Sequence, residues 1–147
     1  MKIVSLLALV VAVGWISGCA TAPKQIVAVP LNATIHNSGH IAQATLTSLD
    51  SRKTELVLFV GRVPHGTSIP VHLYTYVYSG TCTSLEPKPA YELNRFVSTA
   101  FSSQGGGIRL WKSVPVAYDT LLSGEYALVV RASPADGNRD IFCGNLG

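Results

Sequence analysis

Short stretches of apolar and β-branched residues, separated by turn residues, occupy most of the chain after its first thirty positions. Stretches of this length favour β-strands, and none of them keeps a helical period over three turns. We predict strands at 41–49, 55–60, 71–78, 96–102, 108–114, 125–132 and 140–143, and a helical turn at 118–122. The turn spacing is typical of a sandwich or barrel, so the pattern predicts an all-β domain of roughly seven or eight strands.

The strand predicted at 71–78 has two chemically different faces, because successive side chains of a strand point in opposite directions. One face is predicted to join the core and carries Val71, Leu73, Thr75 and Val77. The other face carries His72, Tyr74, Tyr76 and Tyr78. This second face is either a half-exposed cover of the sheet or a binding surface, since tyrosine combines apolar contact with hydrogen bonding.

The chain begins differently, with Met1 and Lys2 followed by an apolar run at 3–15. One positive charge before a short apolar run is the pattern of a secretory signal peptide. The run is also shorter than the roughly 20 residues that a membrane-spanning helix needs.

The next residues, Ile16-Ser17-Gly18-Cys19, resemble the lipobox of bacterial lipoproteins. The resemblance implies cleavage before Cys19 and lipidation of its thiol, and Ala20 rather than Asp after it implies the outer membrane by the enterobacterial sorting rule. We therefore predict a signal peptide at 1–18, a lipidated tether at 19–30 and a β-sandwich domain at 31–147. Acyl chains bind membranes firmly because each buried CH₂ contributes about 0.8 kcal/mol.

Composition excludes two classes of protein. The 147 residues include 11 basic and 8 acidic ones, a net charge of only +3, so no nucleic-acid partner is predicted. Charged residues make up 13% of the chain and apolar ones 48%, which excludes a disordered protein. The length suits one domain.

With Cys19 assigned to lipid, Cys82 and Cys143 remain. In an oxidising compartment they are expected to pair, which closes a loop of about sixty residues and contributes roughly 4 kcal/mol in the chain-entropy model. Two free thiols or a metal pair are the alternatives, and the metal pair is the weaker one because no third cysteine or nearby histidine accompanies them.

Two parts of the chain resemble the copper/zinc superoxide dismutase fold and its dismutase-like relatives in bacterial envelopes. The first is 76–82, where the family has His-x-His, glycine and the disulfide cysteine. The second includes the Val-rich strand at 128–132 and the ending 142–147, where the family has a late copper histidine and Ala-Cys-Gly. The resemblance covers most of 38–147 and implies a Greek-key β-sandwich with a Cys82–Cys143 disulfide.

The metal ligands of that family are replaced. Tyr76 and Tyr78 stand in place of His-x-His, and Arg131 stands in place of the late copper histidine. The loop at 83–91 has no histidine, and Asp140 replaces the family's guiding arginine, with Arg139 one position earlier. Copper chemistry needs several imidazoles, and a permanently charged guanidinium repels the cation. We therefore predict a metal-free, cofactor-free domain that is not an enzyme.

If the fold is dismutase-like, Tyr76, Tyr78 and Arg131 converge where the metal would lie, and Arg131 can lie over a tyrosine ring. Together with His72 and Tyr74 they form the candidate binding surface. A role in holding two strands together is favoured over a role in ligand binding.

Three functions follow from these features. The first is an outer-membrane-anchored binding or structural module of the envelope, whose partner is an envelope protein, a host protein or a small ligand. The second is a lysozyme inhibitor, because Ser123-Gly124-Glu125-Tyr126 is similar to the Ser-Gly-x-x-Tyr loop of lipoprotein inhibitors, although one residue short. The third is a degenerate dismutase or copper-binding protein.

The histidines offer one more candidate site. His36 and His40 are the only pair close in sequence, and a turn between them can bring them together. Without a cysteine or carboxylate partner, they are predicted to be loop or strand-edge residues rather than metal ligands.

Overall fold

The computed structural model describes residues 23–101 and 106–147. The predicted signal peptide and Cys19 lie outside these residues. Within the described part of the chain, no helix has the length and apolar character needed to span a bilayer.

The described residues form an all-β domain, as predicted. Its nine strands are β1 (Ile26–Ala33), β2 (Ala42–Asp50), β3 (Lys53–Val60), β4 (Val71–Thr81), β5 (Ser84–Glu92), β6 (Ser98–Ala100), β7 (Ile108–Val114), β8 (Tyr126–Ala132) and β9 (Asp140–Asn145). A single short helix, α1 (Tyr118–Ser123), precedes β8, and 3-10 turns occupy Ile35–Asn37 and Pro134–Asp136.

The strands pair in the order β5-β4-β8-β9-β1-β2-β3-β7, and β6 pairs with the start of β4. All of these pairings are antiparallel. Strand β1 joins the two halves, because its residues 26–31 pair with β2 while Asn32 and Ala33 pair with β9. The sheet therefore curls around one core.

Alternation of side chains along the strands builds this core. In β3 the even-numbered residues Leu56, Leu58 and Val60 are fully buried, and their neighbours are only half-buried. In β4 the predicted inner set of Val71, Leu73, Thr75 and Val77 is buried. The hydrophobic effect on these inner faces, at about 25 cal/mol per Å² of apolar surface, is the main force that holds the sheet closed.

The disulfide is present: Cys82 and Cys143 are bonded, with their Cα atoms 5.9 Å apart. Cys82 lies in the turn between β4 and β5, and Cys143 lies in β9. The bond therefore links a turn to an inner strand of the sheet, as predicted.

Two elements differ from the sequence predictions. Strand β1 begins at Ile26, so the predicted boundary between tether and domain at 30/31 falls inside a strand. Most of the predicted loop at 83–91 belongs to strand β5, which runs from Ser84 to Glu92 at one edge of the sheet. An edge strand pairs on one side only, which is why it tolerates Pro87 and Pro89.

Candidate functional site

Arg131 is the centre of a side-chain group on the outer face of β4, β8 and β9. We call this group the arginine cluster; it consists of Tyr76, Tyr78, Arg131 and Asp140. The register of the sheet assembles it, because β8 pairs with β4 on one side and with β9 on the other, where Arg131 is opposite Asp140. The predicted convergence of Arg131 on the two tyrosines is therefore confirmed.

The guanidinium of Arg131 has three kinds of contact. Its Cζ lies 4.7 Å from the centroid of the Tyr76 ring, within the range of a cation–π interaction. Its Nη2 donates a hydrogen bond of 3.0 Å to the hydroxyl of Tyr78. Its Nε donates to Oδ1 of Asp140, which forms an ion pair. One side chain thus ties three strands together.

These contacts also stabilise the charge of Arg131. Burial alone would lower the pKa of this guanidinium, but its hydrogen bonds to Asp140 and Tyr78 outweigh burial and raise the pKa above its usual value. Burial raises the pKa of Tyr76, and the nearby charge of Arg131 opposes that rise only partly. Both raised pKa values keep Arg131 positively charged and Tyr76 neutral at neutral pH.

The disulfide packs together with the two tyrosines of the arginine cluster. Tyr78, Ala127, Val129 and Cys143 form a small apolar cluster of buried residues, and Tyr76 and Cys82 pack against it. Gly80 has a φ of +98°, and a Cβ at this position would collide with the backbone of Ser84 at the start of β5. Glycine is therefore needed where β4 approaches the start of β5, just before Cys82 bonds to Cys143 of β9.

The remaining members of the predicted binding surface lie further along the same face of β4. Tyr74 is directly opposite Arg131 in the β4–β8 register and is half-buried. His72 is opposite Thr99 of β6, and its Nδ1 lies 3.0 Å from the Thr99 hydroxyl. The structure thus places His72 near the start of β4, away from Tyr78, where it is hydrogen-bonded to β6.

This donor set does not fit the copper site that the dismutase resemblance implies. The guanidinium of Arg131 lies beside both tyrosine rings, 4.7 Å from the centroid of Tyr76 and 5.9 Å from that of Tyr78, and it carries a fixed positive charge. Among the described residues, no group of three or more His, Cys, Asp or Glu side chains is arranged to hold a metal ion. We derive no metal chemistry for this cluster.

His36 and His40 do not form a site together. The Nδ1 of His40 lies 2.7 Å from Oδ1 of Asn37, a hydrogen bond within the turn. Asn37 in turn donates to the carbonyl of Arg62, which fastens this turn to the next loop. His36 instead lines a separate cavity at the end of the sandwich.

That end cavity was not predicted from the sequence. It has a volume of about 400 Å³, and it is lined by the loops at 64–68 and 135–139 together with His36, Ala132 and Ile141. Volumes of this size are typical of small-molecule sites, which often lie at the mouths of β-barrels. The cavity shares no lining residue with the arginine cluster.

The motif that resembles a lysozyme inhibitor loop is used in packing. Ser123 ends α1, Gly124 follows it, and Tyr126 begins β8. The ring of Tyr126 packs against the core and lies 6.3 Å from the ring of Tyr91. This placement gives the inhibitor interpretation no support.

Comparisons of the chain with protein-family models, with curated proteins and with solved structures find no match. The arguments for function therefore come from the residues of this chain.

Proposed function

We propose that the protein is a lipoprotein of the bacterial outer membrane, with a non-catalytic, metal-free β-domain that acts as a binding or structural module of the envelope. The arginine cluster is the observation that carries this proposal. At the positions that the dismutase resemblance assigns to copper ligands, the chain has side chains that bond to one another.

Two features support the link to dismutase-like domains. The curled antiparallel sheet belongs to the sandwich architecture that copper/zinc superoxide dismutase also has. The Cys82–Cys143 disulfide joins the positions that the resemblance assigns to the family's intrasubunit bond. The first nineteen residues, with their lipobox-like ending, support the anchor and the oxidising compartment that a stable disulfide needs.

Copper binding tests the non-catalytic part of the proposal. Wild-type protein dialysed after loading with Cu²⁺ should retain less than one equivalent, whereas the variant Tyr76→His/Tyr78→His/Arg131→His should gain copper affinity, because three imidazoles then replace the cluster. The variant Tyr76→Phe/Tyr78→Phe/Arg131→Gln removes the cluster without adding imidazoles and should bind no more copper than wild type. Stoichiometric copper in the dialysed wild type would overturn the proposal.

Fractionation of cells tests the anchor. Cys19→Ser should give an unprocessed precursor or a protein released from the membrane fraction, because the thiol that carries the lipid is gone. The variant Cys82→Ser/Cys143→Ser keeps Cys19 and should stay in the membrane fraction. A Cys19→Ser protein that is processed and membrane-bound like wild type would show that the anchor assignment is wrong.

A further inference from the structure

Two histidines and an arginine, from three separate parts of the chain, line the end cavity. His36 belongs to the 3-10 turn after β1, His65 to the loop between β3 and β4, and Arg139 to the segment before β9. All three are exposed, and the buried residues Ala132 and Ile141 also line the cavity. It therefore combines an apolar contribution from two strands with basic groups on the surrounding loops.

The guanidinium of Arg139 forms no ion pair with any residue that the structure describes. In the described part of the chain, ion pairs form only between Lys24 and Glu55 and between Arg131 and Asp140. Arg139 therefore has no carboxylate partner there. A charged fork without a protein partner, beside a cavity, is suited to a carboxylate or a phosphate, which it can bind with two parallel hydrogen bonds.

Asp136 is the one acidic residue that lines the cavity, and its carboxylate is already used. Its Oδ1 accepts a hydrogen bond of 2.8 Å from the backbone N–H of Ser68, and its Oδ2 accepts one of 2.7 Å from the hydroxyl of Ser133. Burial acts to raise the pKa of Asp136, but these hydrogen bonds together lower it. This carboxylate therefore fastens the 133–137 turn to the 64–68 loop.

The geometry of the 133–137 turn positions Arg139. Gly137 has a φ of +86°, and a Cβ at that position would lie 3.1 Å from Nε of Arg139. Glycine therefore leaves room for the arginine side chain to lie against the turn. The N–H groups of Asp136, Gly137 and Asn138 all bond within the turn, which keeps it in one conformation. The turn beneath Arg139 is therefore fixed without a ligand, which lowers the entropic cost of binding one there.

We propose that the end cavity is a binding site for a small molecule that bears an oxyanion, a phosphate or a carboxylate, with Arg139 as the principal contact and with His36 and His65 as further hydrogen-bonding groups. The site lies outside the arginine cluster, and the proposal does not depend on the lipid anchor.

Titration of the full-length protein in a non-ionic detergent tests this site. Inorganic phosphate, malonate and glucose are added separately at constant ionic strength, and ¹H–¹⁵N spectra are recorded. We expect saturable shifts with phosphate, malonate or both, confined to 36, 64–68 and 132–141, and none with glucose. The anion that binds more tightly shows whether the site prefers a phosphate or a carboxylate. No saturable shift with either anion up to about 50 mM, or shifts spread over the whole surface, would overturn the proposal.

Three variants separate a built site from general charge attraction. Arg139→Gln should weaken anion binding by about tenfold or more, and Arg139→Lys, which keeps the charge without the fork, should weaken it less. Arg52→Gln is the matched control, because Arg52 is an exposed arginine in the turn between β2 and β3 and does not line the cavity. Equal weakening by Arg139→Gln and Arg52→Gln would overturn the proposal. This outcome would leave the envelope-module proposal intact, since that rests on Cys19 and on the arginine cluster.

Discussion

Arg131 shows how one side chain can carry several interactions. Its aromatic contact, its hydrogen bond to Tyr78 and its ion pair with Asp140 all lie on one sheet face. A half-buried guanidinium is costly without partners, because breaking a pair leaves a charge with lost hydration. The stability of the arginine cluster should therefore depend on Asp140, which supplies the carboxylate that pairs with this charge.

We expect Asp140→Asn to lower the free energy of unfolding by about 1–2 kcal/mol, because Arg131 then loses the charged acceptor of its Nε hydrogen bond. Urea denaturation measures the change. Glu86→Gln is the control, since it removes one carboxylate from an exposed position on β5 and should leave stability unchanged. Equal stability of Asp140→Asn and Glu86→Gln would contradict a structural role for the ion pair.

For single residues, the sequence predicts which side chains share a face of a strand, because side chains alternate along it. The shared face of Tyr76 and Tyr78 follows from strand parity alone. The approach of Arg131 to them needed the dismutase resemblance, because a sequence pattern does not show which strands pair. Asp140 as the third partner was not anticipated, since its contact depends on the irregular register between β8 and β9.

The two edges of the sheet are protected in different ways. Strand β5 forms one edge and carries Pro87 and Pro89, which cannot donate backbone hydrogen bonds to an added strand. Strand β7 forms the other edge and follows an inward pattern of Ile108, Leu110, Lys112 and Val114. Lys112 interrupts this apolar row, and burial lowers its pKa. Its Nζ donates a 2.7 Å hydrogen bond to the carbonyl of Phe96.

We expect Lys112→Val to make the protein associate at lower concentrations than wild type, because an inward charge on an edge strand opposes pairing with another chain. Analytical ultracentrifugation of the detergent-solubilised protein over a concentration series measures this. Lys53→Val removes the same charge from an exposed position at the start of β3 and serves as the control. Association curves that coincide for the two variants would exclude a protective role for Lys112.

The same edges explain which elements the sequence did not reveal. Strand β7 was predicted with its observed bounds, since its apolar and polar residues alternate clearly. From the sequence, most of β5 is assigned to a loop because the dismutase resemblance places a loop after the first cysteine. The first part of β1 is assigned to the tether because the segment 20–30 begins with Thr, Ala, Pro, Lys and Gln ahead of only a short apolar stretch.

For the whole molecule, the disulfide is the one covalent link between distant parts of the domain. It joins residues 61 positions apart, and about two-fifths of the chain lies within the loop that it closes. Cross-links of this span stabilise mainly by restricting the unfolded chain.

We expect Cys82→Ser/Cys143→Ser to lower the free energy of unfolding by about 2–5 kcal/mol, as measured by urea denaturation. Dithiothreitol should reduce the stability of wild type to a similar value and should not affect the double variant. A wild type that dithiothreitol leaves unchanged, although its bond is fully reduced, would argue against this contribution.

The all-β fold and its disulfide could be predicted because they depend on local patterns and on a cysteine count. The end cavity could not, because its lining comes from segments around 36, 64–68 and 132–141 that only the closed sheet brings together. None of these segments has a motif of its own. The sequence draws attention to Arg139 only through the dismutase resemblance, because it lies one position before the place of that family's guiding arginine.

The direction of β1 has a consequence for access to the cavity. Six residues lie between Cys19 and Ile26, and seven extended Cα–Cα steps reach about 25 Å at most, so the proposed anchor at Cys19 would keep the start of β1 close to the bilayer. The strand then runs about 27 Å away from that point and ends beside the turn that carries His36. Under the proposed anchor at Cys19, the cavity lies at the end of β1 opposite to the end that leads to the lipid. We therefore expect it to meet solutes of the aqueous compartment rather than molecules embedded in the membrane.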